Sequence, residues 1–324
     1  MRGFFIPKLP KPSPLWHNTN ANSYKITEKP VPHRVINKIG IITKRNVEDH
    51  KDIVQHLVKY LERHQKQVYF DENSYKLFKN KTGYNKEQML NIVDMAIVLG
   101  GDGTILKTAR RIGRKKVLVL GVNFGTLGFL TECTPEKLFD CLKKVLDGQY
   151  VIDRRSLLRV TVYRHGKKVD TFLALNDAVI NQGAFARLIK MDIEVNNIKV
   201  TSVKADGLIV ATPSGSTAHS LSAGGPIIHP KIDALVVTPI CPSSLSMRAI
   251  VLPDTRQITI NIETERREEN AIIGLTIDGQ DMVTLKYGDK IKFRRSRRSF
   301  YLIRTGNRYY KMLRTKLGWG TLLR

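Results

Sequence analysis

The sequence predicts an α/β domain with a parallel sheet, followed by a mostly antiparallel β domain. Two observations support this division. Up to about Asp147, short apolar runs alternate with amphipathic helical stretches, which is typical of parallel sheets covered by helices. Beyond Tyr150, short apolar strands follow one another with two-residue turns between them, which is typical of antiparallel sheets. The predicted fold class is therefore α/β plus all-β.

The composition limits the class of protein. Apolar residues make up 42% of the chain, which allows ordinary cores. No apolar run approaches the ~18 residues of a membrane span, so we expect no membrane association. Three cysteines, Cys133, Cys141 and Cys241, contain no Cys-x-x-Cys pair. This pattern favours a reducing compartment over a disulfide framework or a structural zinc site.

The net charge is +25, which attracts nucleotides, polyphosphate and nucleic acids at long range. Dedicated nucleic-acid binders usually interleave basic residues with stacking aromatics, and aromatic residues are only 7% of this chain. We therefore expect no nucleic-acid partner. The basic run Arg294–Arg298 is interpreted as a solvated face, with contact to a polyanion as the alternative.

Residues 1–33 are rich in proline, lysine and asparagine and show no apolar period. We predict an extended or disordered basic arm. A transit peptide is the alternative, but such peptides are rich in arginine and serine, and this segment has almost none of either.

The α/β domain is predicted to span residues 34–149. Its predicted strands are Ile39–Ile42, Val68–Phe70, Met95–Leu99 and Val117–Val122. Its predicted helices are Val47–Arg63, a helix opened by a Thr104 cap, and a helix from Pro135.

The β domain is predicted to span residues 150–300. Turn pairs such as Asn196-Asn197 and Asp278-Gly279 separate its strands. The predicted strands are Leu157–Tyr163, Val169–Ala174, Ala178–Ile180, Met191–Val195, Gly207–Ala211, Ile258–Ile262, Ile272–Ile277 and Lys290–Phe293. Residues 301–324 are predicted to form a C-terminal tail that packs back on the N-terminal domain.

A first glycine cluster, Gly100-Gly101-Asp102-Gly103-Thr104, lies between a predicted strand and a predicted helix. Glycines let backbone N–H groups converge beside a helix N-terminus, where phosphate binds well. A carboxylate in such a place must hold a metal or accept a proton, so Asp102 is unusual. The pattern is neither a Walker loop nor the dinucleotide fingerprint. A tight βα turn without function is the alternative.

A second cluster of Gly, Ser and Thr lies within Lys204–Pro226. Hydroxyls and N–H groups at a helix start hold ribose or phosphate oxygens, and His219 offers a flat face for a base. A capped helix in a connecting loop is the alternative. A serine hydrolase is excluded because the chain has no Gly-x-Ser-x-Gly elbow and His219 lies too close to Ser216. His219 and His229 lack the spacing of a metal pair.

Two further stretches lie between the clusters. Gly121–Thr131 is a glycine-rich turn after a predicted strand. Asn176 and Asp177 place an amide beside a carboxylate at a strand edge, where they can take two hydroxyls of a ribose. A simple turn is the alternative for this pair.

Together these four stretches, in this order and spacing, resemble the NAD kinases. Gly-Gly-Asp-Gly-Thr alone is shared with lipid kinases such as diacylglycerol kinases and, more loosely, with phosphofructokinases, whereas the run Asp206–Pro226 is specific to NAD kinases. The resemblance covers Lys38 to Trp319, and Leu313–Trp319 is similar to the tail of the proteobacterial members. It implies an N-terminal Rossmann-like α/β domain and a C-terminal antiparallel β-sandwich-like domain, with both glycine clusters at the cleft between them.

The resemblance also implies an activity. The γ-phosphoryl of ATP, or of polyphosphate in some members, would move to the 2′-hydroxyl of the adenosine ribose of NAD. Asp102 would be the catalytic proton acceptor, with a divalent cation such as Mg²⁺ at the donor phosphates and no metal-ligating residue assigned. A cytoplasmic homodimer or homotetramer is implied. A lipid or other small-molecule kinase is the alternative function, and a basic nucleic-acid-binding protein is a second.

The resemblance implies site residues by motif position. Asp102 and Gly103 would lie at the reacting ribose, with Lys107 one helical turn further on. Phe129 would pack against the dinucleotide. Asn176 and its neighbour would hydrogen-bond the adenosine. The implied binding residues are Asp102, Gly103, Lys107, Phe129, Asn176, Asp177, Arg187, Lys204, Asp206, Thr217, Ala218, His219, Ser220, Leu221, Ser222 and Gln280.

The second cluster would supply most of these contacts. Thr217–Ser222 would line the adenine site, with the imidazole of this run stacking on the base. Asp206 would hold the ribose or amide on the nicotinamide side, with the positive charges of Arg187 and Lys204 nearby. Gln280 follows the Asp-Gly turn and completes the set.

The sequence departs from the usual family pattern at three positions. Asp177 stands where Glu is commoner, Ser214 where Thr is, and His219 where Tyr is. The first two preserve the chemistry. The third leaves a smaller and titratable stacking surface, which gives the hypothesis of weaker, pH-dependent adenine binding. The resemblance also implies that Lys204 lies at a position that bears on the choice between NAD and NADH, where a polar or charged residue favours NAD.

Overall fold

The computed structural model describes residues 35–44, 48–78, 81–182, 188–263 and 273–318. The predicted arm, residues 1–33, lies outside these described residues. From Val35 onward the chain forms one compact unit. Within the described ranges no helix is long and apolar enough to span a bilayer.

The N-terminal domain has the predicted α/β structure. Its strands pair in parallel in the order β3-β2-β1-β4-β5. Short 3₁₀ turns precede the first and last of its helices, at Glu48–His50 and Pro135–Lys137. The elements are β1 (Lys38–Thr43), α1 (Lys51–Arg63), β2 (Gln67–Asp71), β3 (Gly83–Tyr84), α2 (Lys86–Ile92), β4 (Met95–Leu99), α3 (Asp102–Arg110), β5 (Leu118–Val122) and α4 (Leu138–Leu146).

Helices cover both faces of this sheet. α1 and α4 pack on one face with apolar residues such as Leu57 and Leu142, and α2 and α3 pack on the other with Met89 and Ile105. β4 and β5 are therefore buried along their whole length, which explains their continuous apolar sequences. The carboxyl ends of both strands meet at one edge of the sheet, and the loops that follow carry the functional groups described below.

The C-terminal domain is mostly antiparallel β-sheet, as predicted. Its strands pack around a second core formed by aliphatic residues of β6, β8, β9, β10, β13, β14 and β16. The elements are β6 (Val151–Arg164), β7 (Lys167–Ala174), β8 (Asp177–Gln182), β9 (Ile189–Val195), β10 (Ile198–Ala211), α5 (His219–Ser222), β11 (Ala234–Pro242), β12 (Ile250–Pro253), β13 (Ile258–Ile262), β14 (Ile273–Ile277), β15 (Asp281–Leu285), β16 (Lys290–Arg304) and α6 (Tyr309–Leu317).

Two long strands connect the parts of the fold. β16 pairs with β6 in the antiparallel sense along most of its length, and its residues Tyr301 and Leu302 also pair in parallel with β5. One hydrogen-bonded sheet therefore continues through both domains. The carboxyl end of β10 lies between β8 and β11, which places the second glycine cluster beside the start of β8.

Most predicted elements are confirmed, and one detail is wrong. Helix α3 begins at Asp102 with Gly101 as its N-cap, so Thr104 lies inside the first turn and does not cap the helix. Asp278 and Gly279 have φ angles of 49° and 66°, which are typical of a two-residue hairpin turn. Elements without a prediction were α2, α6, β3, β11, β12 and β15. The domain boundaries stay predictions.

Candidate active site

Asp102 lies where β4 leads into α3, and a loop that follows β5 closes over its carboxylate. The backbone N–H of Phe129 donates to Oδ2 at 3.0 Å, and that of Leu130 donates to Oδ1 at 3.2 Å. Burial raises the pKa of Asp102, while these N–H groups and the positive charge of Arg304 act to lower it. The result is an oriented carboxylate that is suited to accept a proton.

Gly128 lets the loop approach this carboxylate. A Cβ atom at Gly128 would overlap the side chain of Asp102. The backbone N–H of Gly128 also donates to the hydroxyl of Thr131 at 2.8 Å, which fixes the loop in this conformation. Glycine is therefore required here for close backbone approach.

Gln280 fastens the C-terminal domain to α3. Its Nε2 donates to the carbonyl of Gly103 at 3.0 Å, and its Oε1 accepts from Arg110 at 2.8 Å. Arg110 also forms an ion pair with Asp281. These contacts bring together Gly103 and Gln280, two residues that the family resemblance assigns to the same site.

A cavity of about 320 Å³ opens beside the Asp278-Gly279 turn. Four of the predicted binding residues line it: Asn176, Asp177, Ala218 and His219. Its other lining residues are Val179, Asn181, Thr276, Asp278 and Gly279. Volumes of this order suit small-molecule ligands.

The Asn176-Asp177 segment is held from two sides. On one side, the carboxylate of Asp278 accepts the backbone N–H groups of Leu175, Asn176 and Asp177 at 3.0, 2.8 and 3.2 Å. On the other side, Thr212 donates its hydroxyl to the carbonyl of Leu175 at 2.6 Å and its N–H to the carbonyl of Asn176 at 2.8 Å. The side chains of Asn176 and Asp177 therefore extend from a backbone that hydrogen bonds hold in place.

Asp177 and Asp278 form a buried carboxylate pair. Burial, reinforced by the negative charge of Asp278, raises the pKa of Asp177 to about 7. Burial also raises the pKa of Asp278, against the three N–H bonds that favour its charged form. Asp177 is the member that takes up a proton near neutral pH, because Asp278 accepts those three bonds.

Several hydroxyls of the second cluster stabilise its own fold. The hydroxyl of Ser216 donates to the carbonyl of Pro213 at 2.7 Å and accepts the N–H of Ile228 at 2.9 Å. The hydroxyl of Ser220 is buried and lies 2.9 Å from that of Thr238. In the described part of the chain, Thr217, Ser220, Leu221 and Ser222 are not among the residues that line the cavity.

The other predicted residues are spread around this centre. Lys107 is exposed on α3. Lys204 and Asp206 are exposed at alternate positions of β10, on one face of the strand. Phe129 reaches Asp102 through its backbone N–H. Arg187 lies outside the described residues.

Sequence reasoning missed three functional positions. Asp278 was predicted as a turn residue only, and Gly128 was not separated from the other glycines of its stretch. Arg304 carried no recognisable motif. For Asp278, the Asp-Gly pair was the only local signal in the sequence. The contacts of Asp278, Gly128 and Arg304 all join distant parts of the chain.

Comparison with known proteins agrees with this geometry. Residues 39–150 match the family model of the ATP-NAD kinase N-terminal domain, and residues 175–305 match that of the ATP-NAD kinase C-terminal domain. An NAD kinase from Syntrophotalea carbinolica is 42% identical over 285 residues, which cover 87% of this chain and 99% of that protein.

Two crystal structures share the fold. Yeast NADH kinase complexed with NADH superposes with a TM-score of 0.81 and 26% identity, covering 90% of each chain. An NAD kinase from Archaeoglobus fulgidus in complex with ATP superposes with a TM-score of 0.65 and 25% identity, covering 87% of this chain and 98% of that one. Both the sequence and the fold lead to the same conclusion: the chain belongs to the NAD kinase family of enzymes.

Proposed function

We propose that this enzyme transfers a phosphoryl group from ATP to the 2′-hydroxyl of the adenosine ribose of NAD, and that Asp102 accepts the hydroxyl proton. The observation that carries the proposal is the carboxylate of Asp102, which is partly buried and aimed by two backbone N–H groups. Polyphosphate is the alternative donor.

The chemistry required of the chain is modest. Phosphoryl transfer needs positioning of donor and acceptor, neutralisation of charge and one base, without a covalent nucleophile. Backbone N–H groups donate to both oxygens of Asp102, and the carboxylate keeps acceptor capacity for a ribose hydroxyl. Burial raises the pKa of this carboxyl and so makes the carboxylate a stronger base.

Binding of the substrate is assigned to the cavity. Asn176 and Asp177 offer an amide and a carboxyl to hydroxyls of the adenosine, and His219 offers its ring face to the base. Gln280 bridges this cavity wall to Gly103, next to the proposed base. We assign Asp206, Lys204 and Arg187 to the nicotinamide side, as the family pattern implies.

A divalent cation belongs to the proposal as part of the donor. Among the described residues, no group of three or more His, Cys, Asp or Glu side chains is arranged to hold a metal. Mg²⁺ usually keeps several waters and binds through substrate phosphates. We therefore place Mg²⁺ on the phosphates of ATP and assign no ligand to this chain.

We also propose a cytoplasmic homodimer or homotetramer, and light scattering on the purified protein measures the assembly.

The test is formation of NADP by the purified protein given NAD, ATP and Mg²⁺, measured with an NADP-specific dehydrogenase. Asp102→Asn should lower kcat at least about 10²-fold, because a positioned base is lost without a change of shape. Asp52→Asn is the matched control, since Asp52 is an exposed carboxylate in the first turn of α1 and should have no effect.

Two outcomes would contradict the proposal. If Asp102→Asn stays within a few-fold of the wild type, Asp102 is not the base. If the wild type is inactive with both ATP and polyphosphate, the activity itself is wrong, and phosphorylation of lipid substrates would then support the alternative kinase function.

A further inference from the structure

Arg304, at the end of β16, reaches into the loop that covers Asp102. Its Nη2 donates to the carbonyl of Phe129 at 2.9 Å, and its Nη1 donates to the carbonyl of Thr131 at 3.1 Å. The Leu130 carbonyl lies 3.4 Å from the same Nη1. One guanidinium therefore binds three successive carbonyls, which its planar fork of donors allows and a lysine ammonium does not.

Arg304 and Asp102 bind opposite ends of the same peptide group. The carbonyl of Phe129 and the N–H of Leu130 belong to one peptide unit. Arg304 binds the oxygen of this peptide unit, and the N–H of the same unit donates to Asp102 Oδ1 at 3.2 Å. A cation on the carbonyl polarises the peptide and strengthens its N–H as a donor, so the two charges interact through the backbone.

The guanidinium is itself fixed by Asp153. Arg304 Nε donates to Asp153 Oδ2 at 3.1 Å, and Arg155 binds both oxygens of the same carboxylate at 2.9 and 2.7 Å. Arg155 also donates to the hydroxyl of Ser214, in the second glycine cluster, at 3.0 Å. A single carboxylate thus connects the loop over Asp102 with the loop of the second cluster.

Other charged and titratable groups face this arginine. Glu132, on the covering loop, lies 3.4 Å from Arg304 Nη1. Arg308, beyond the end of β16, donates to the carbonyl of Glu132. Tyr309 of α6 interacts electrostatically with Arg155. Arg304 binds three carbonyls of the backbone segment whose N–H groups donate to Asp102. Arg308 instead binds the carbonyl of Glu132.

We infer that Arg304 is a positioning residue for the phosphoryl transfer, because it holds the Phe129–Thr131 backbone so that its N–H groups aim the carboxylate of Asp102. This inference rests on the proposed role of Asp102 as the base. Arg304 contacts neither substrate in this role and acts through the loop.

The experiment compares Arg304→Gln, Arg304→Lys and, as a matched control, Arg308→Gln. For each, kcat and kcat/KM are measured from pH 5.5 to 9, with the Kd for NAD and a melting curve. Arg304→Gln should lower kcat at least about 10-fold, with the Kd for NAD within about twofold of the wild type. It should also move the acidic limb of kcat/KM to higher pH, because the pKa of Asp102 loses the influence of a nearby positive charge.

The other variants separate the two contributions. Arg304→Lys keeps the charge but not the fork, so kcat should fall while the acidic limb moves much less. Arg308→Gln should leave the acidic limb in place. If Arg304→Gln and Arg304→Lys both fold and keep the kcat and the pH profile of the wild type, Arg304 only stabilises the fold. That result would overturn the inference.

Failure of the proposed function looks different. Full activity of Asp102→Asn would remove the base assignment, whatever the Arg304 variants do. An inactive Asp102→Asn together with normal Arg304 variants would leave the base assignment intact and overturn the positioning role alone.

Discussion

Asp102, which is partly buried, and Asp177, which is buried, are two carboxylates of the candidate site, and their surroundings differ in sign. Each is the first residue of its element, α3 for Asp102 and β8 for Asp177. Burial raises the pKa of both. Asp102 faces two backbone N–H groups and the charge of Arg304, whereas Asp177 faces the negative charge of Asp278.

Burial is the largest influence on the pKa of both carboxyls, so the difference between them comes from their neighbours. Positive partners keep Asp102 available as a proton acceptor. Burial together with the negative charge of Asp278 raises the pKa of Asp177 to about 7, so this side chain is protonated in part of the molecules at neutral pH. A protonated carboxyl donates as well as accepts a hydrogen bond, which suits a residue that binds hydroxyls. In the proposed function, one residue type thus performs two tasks.

The largest expected effect comes from disturbing the surroundings of Asp102. Gly128→Ala should lower kcat about 10²-fold, because the new methyl group would displace the carboxylate of Asp102 by about 1 Å. Gly125→Ala is the control in the same loop, since a Cβ there meets only Asn123 Oδ1 at 3.8 Å. Steady-state kinetics on both variants measures the effect. A Gly128→Ala enzyme within threefold of the wild type would show that the carboxylate need not be held in this position.

A smaller effect is expected on the Asp177 side, in stability. A carboxyl whose pKa is higher in the folded than in the unfolded state destabilises the fold as pH rises above its unfolded pKa, and the cost is complete above the folded pKa of about 7. Asp177→Asn removes this cost. The free energy of unfolding of the variant relative to the wild type should therefore grow by about 2–3 kcal/mol between pH 5 and pH 8.

Urea unfolding at the two pH values measures this difference. Asp170→Asn provides the control, because Asp170 is exposed on β7 and should change stability equally at both. A constant difference between Asp177→Asn and the wild type would mean that the pKa of Asp177 is not raised in the folded state, and the contrast between the two carboxylates would disappear.

The smallest effect concerns the cavity wall next to Asp177. His219 is an exposed residue that lines the cavity, and His219→Tyr enlarges its aromatic face. Stacking by the larger ring should tighten NAD binding about two- to fivefold, as aromatic pairs of about 0.5–1 kcal/mol allow. Titration calorimetry between pH 5.5 and 8 measures the affinity. If His219→Tyr binds NAD with the same affinity as the wild type across this pH range, the hypothesis that His219 weakens adenine binding is removed.

The sequence predicted strands with continuous apolar residues better than strands that contain prolines or a basic stretch. β4 and β5 were recognised because strands buried on both faces have continuous apolar sequences. β11 contains two prolines, which are uncommon inside strands, and yet it pairs with β10 and β12. β16 continues far beyond its apolar start at Lys290–Phe293, because pairing with β6 maintains it through a basic stretch.

The site was predictable where its chemistry is local in the sequence. Asp102 and the Asn176-Asp177 pair were found because their neighbours along the chain form a pattern. Arg304 was missed because its partner Phe129 lies 175 positions away. Asp278 was missed for the same reason, since the backbone it holds is about 100 positions upstream. Spacing within a motif contains no information on such contacts.

The position of β16 has a consequence for synthesis of the chain. β5 receives its outer partner only when Tyr301 and Leu302 have left the ribosome, long after the rest of the parallel sheet is complete. Until then the N-terminal domain presents an apolar edge strand, the kind of surface at which nascent chains aggregate. A message truncated before codon 301 would leave that edge permanently open, so the last tenth of the polypeptide also protects the first half.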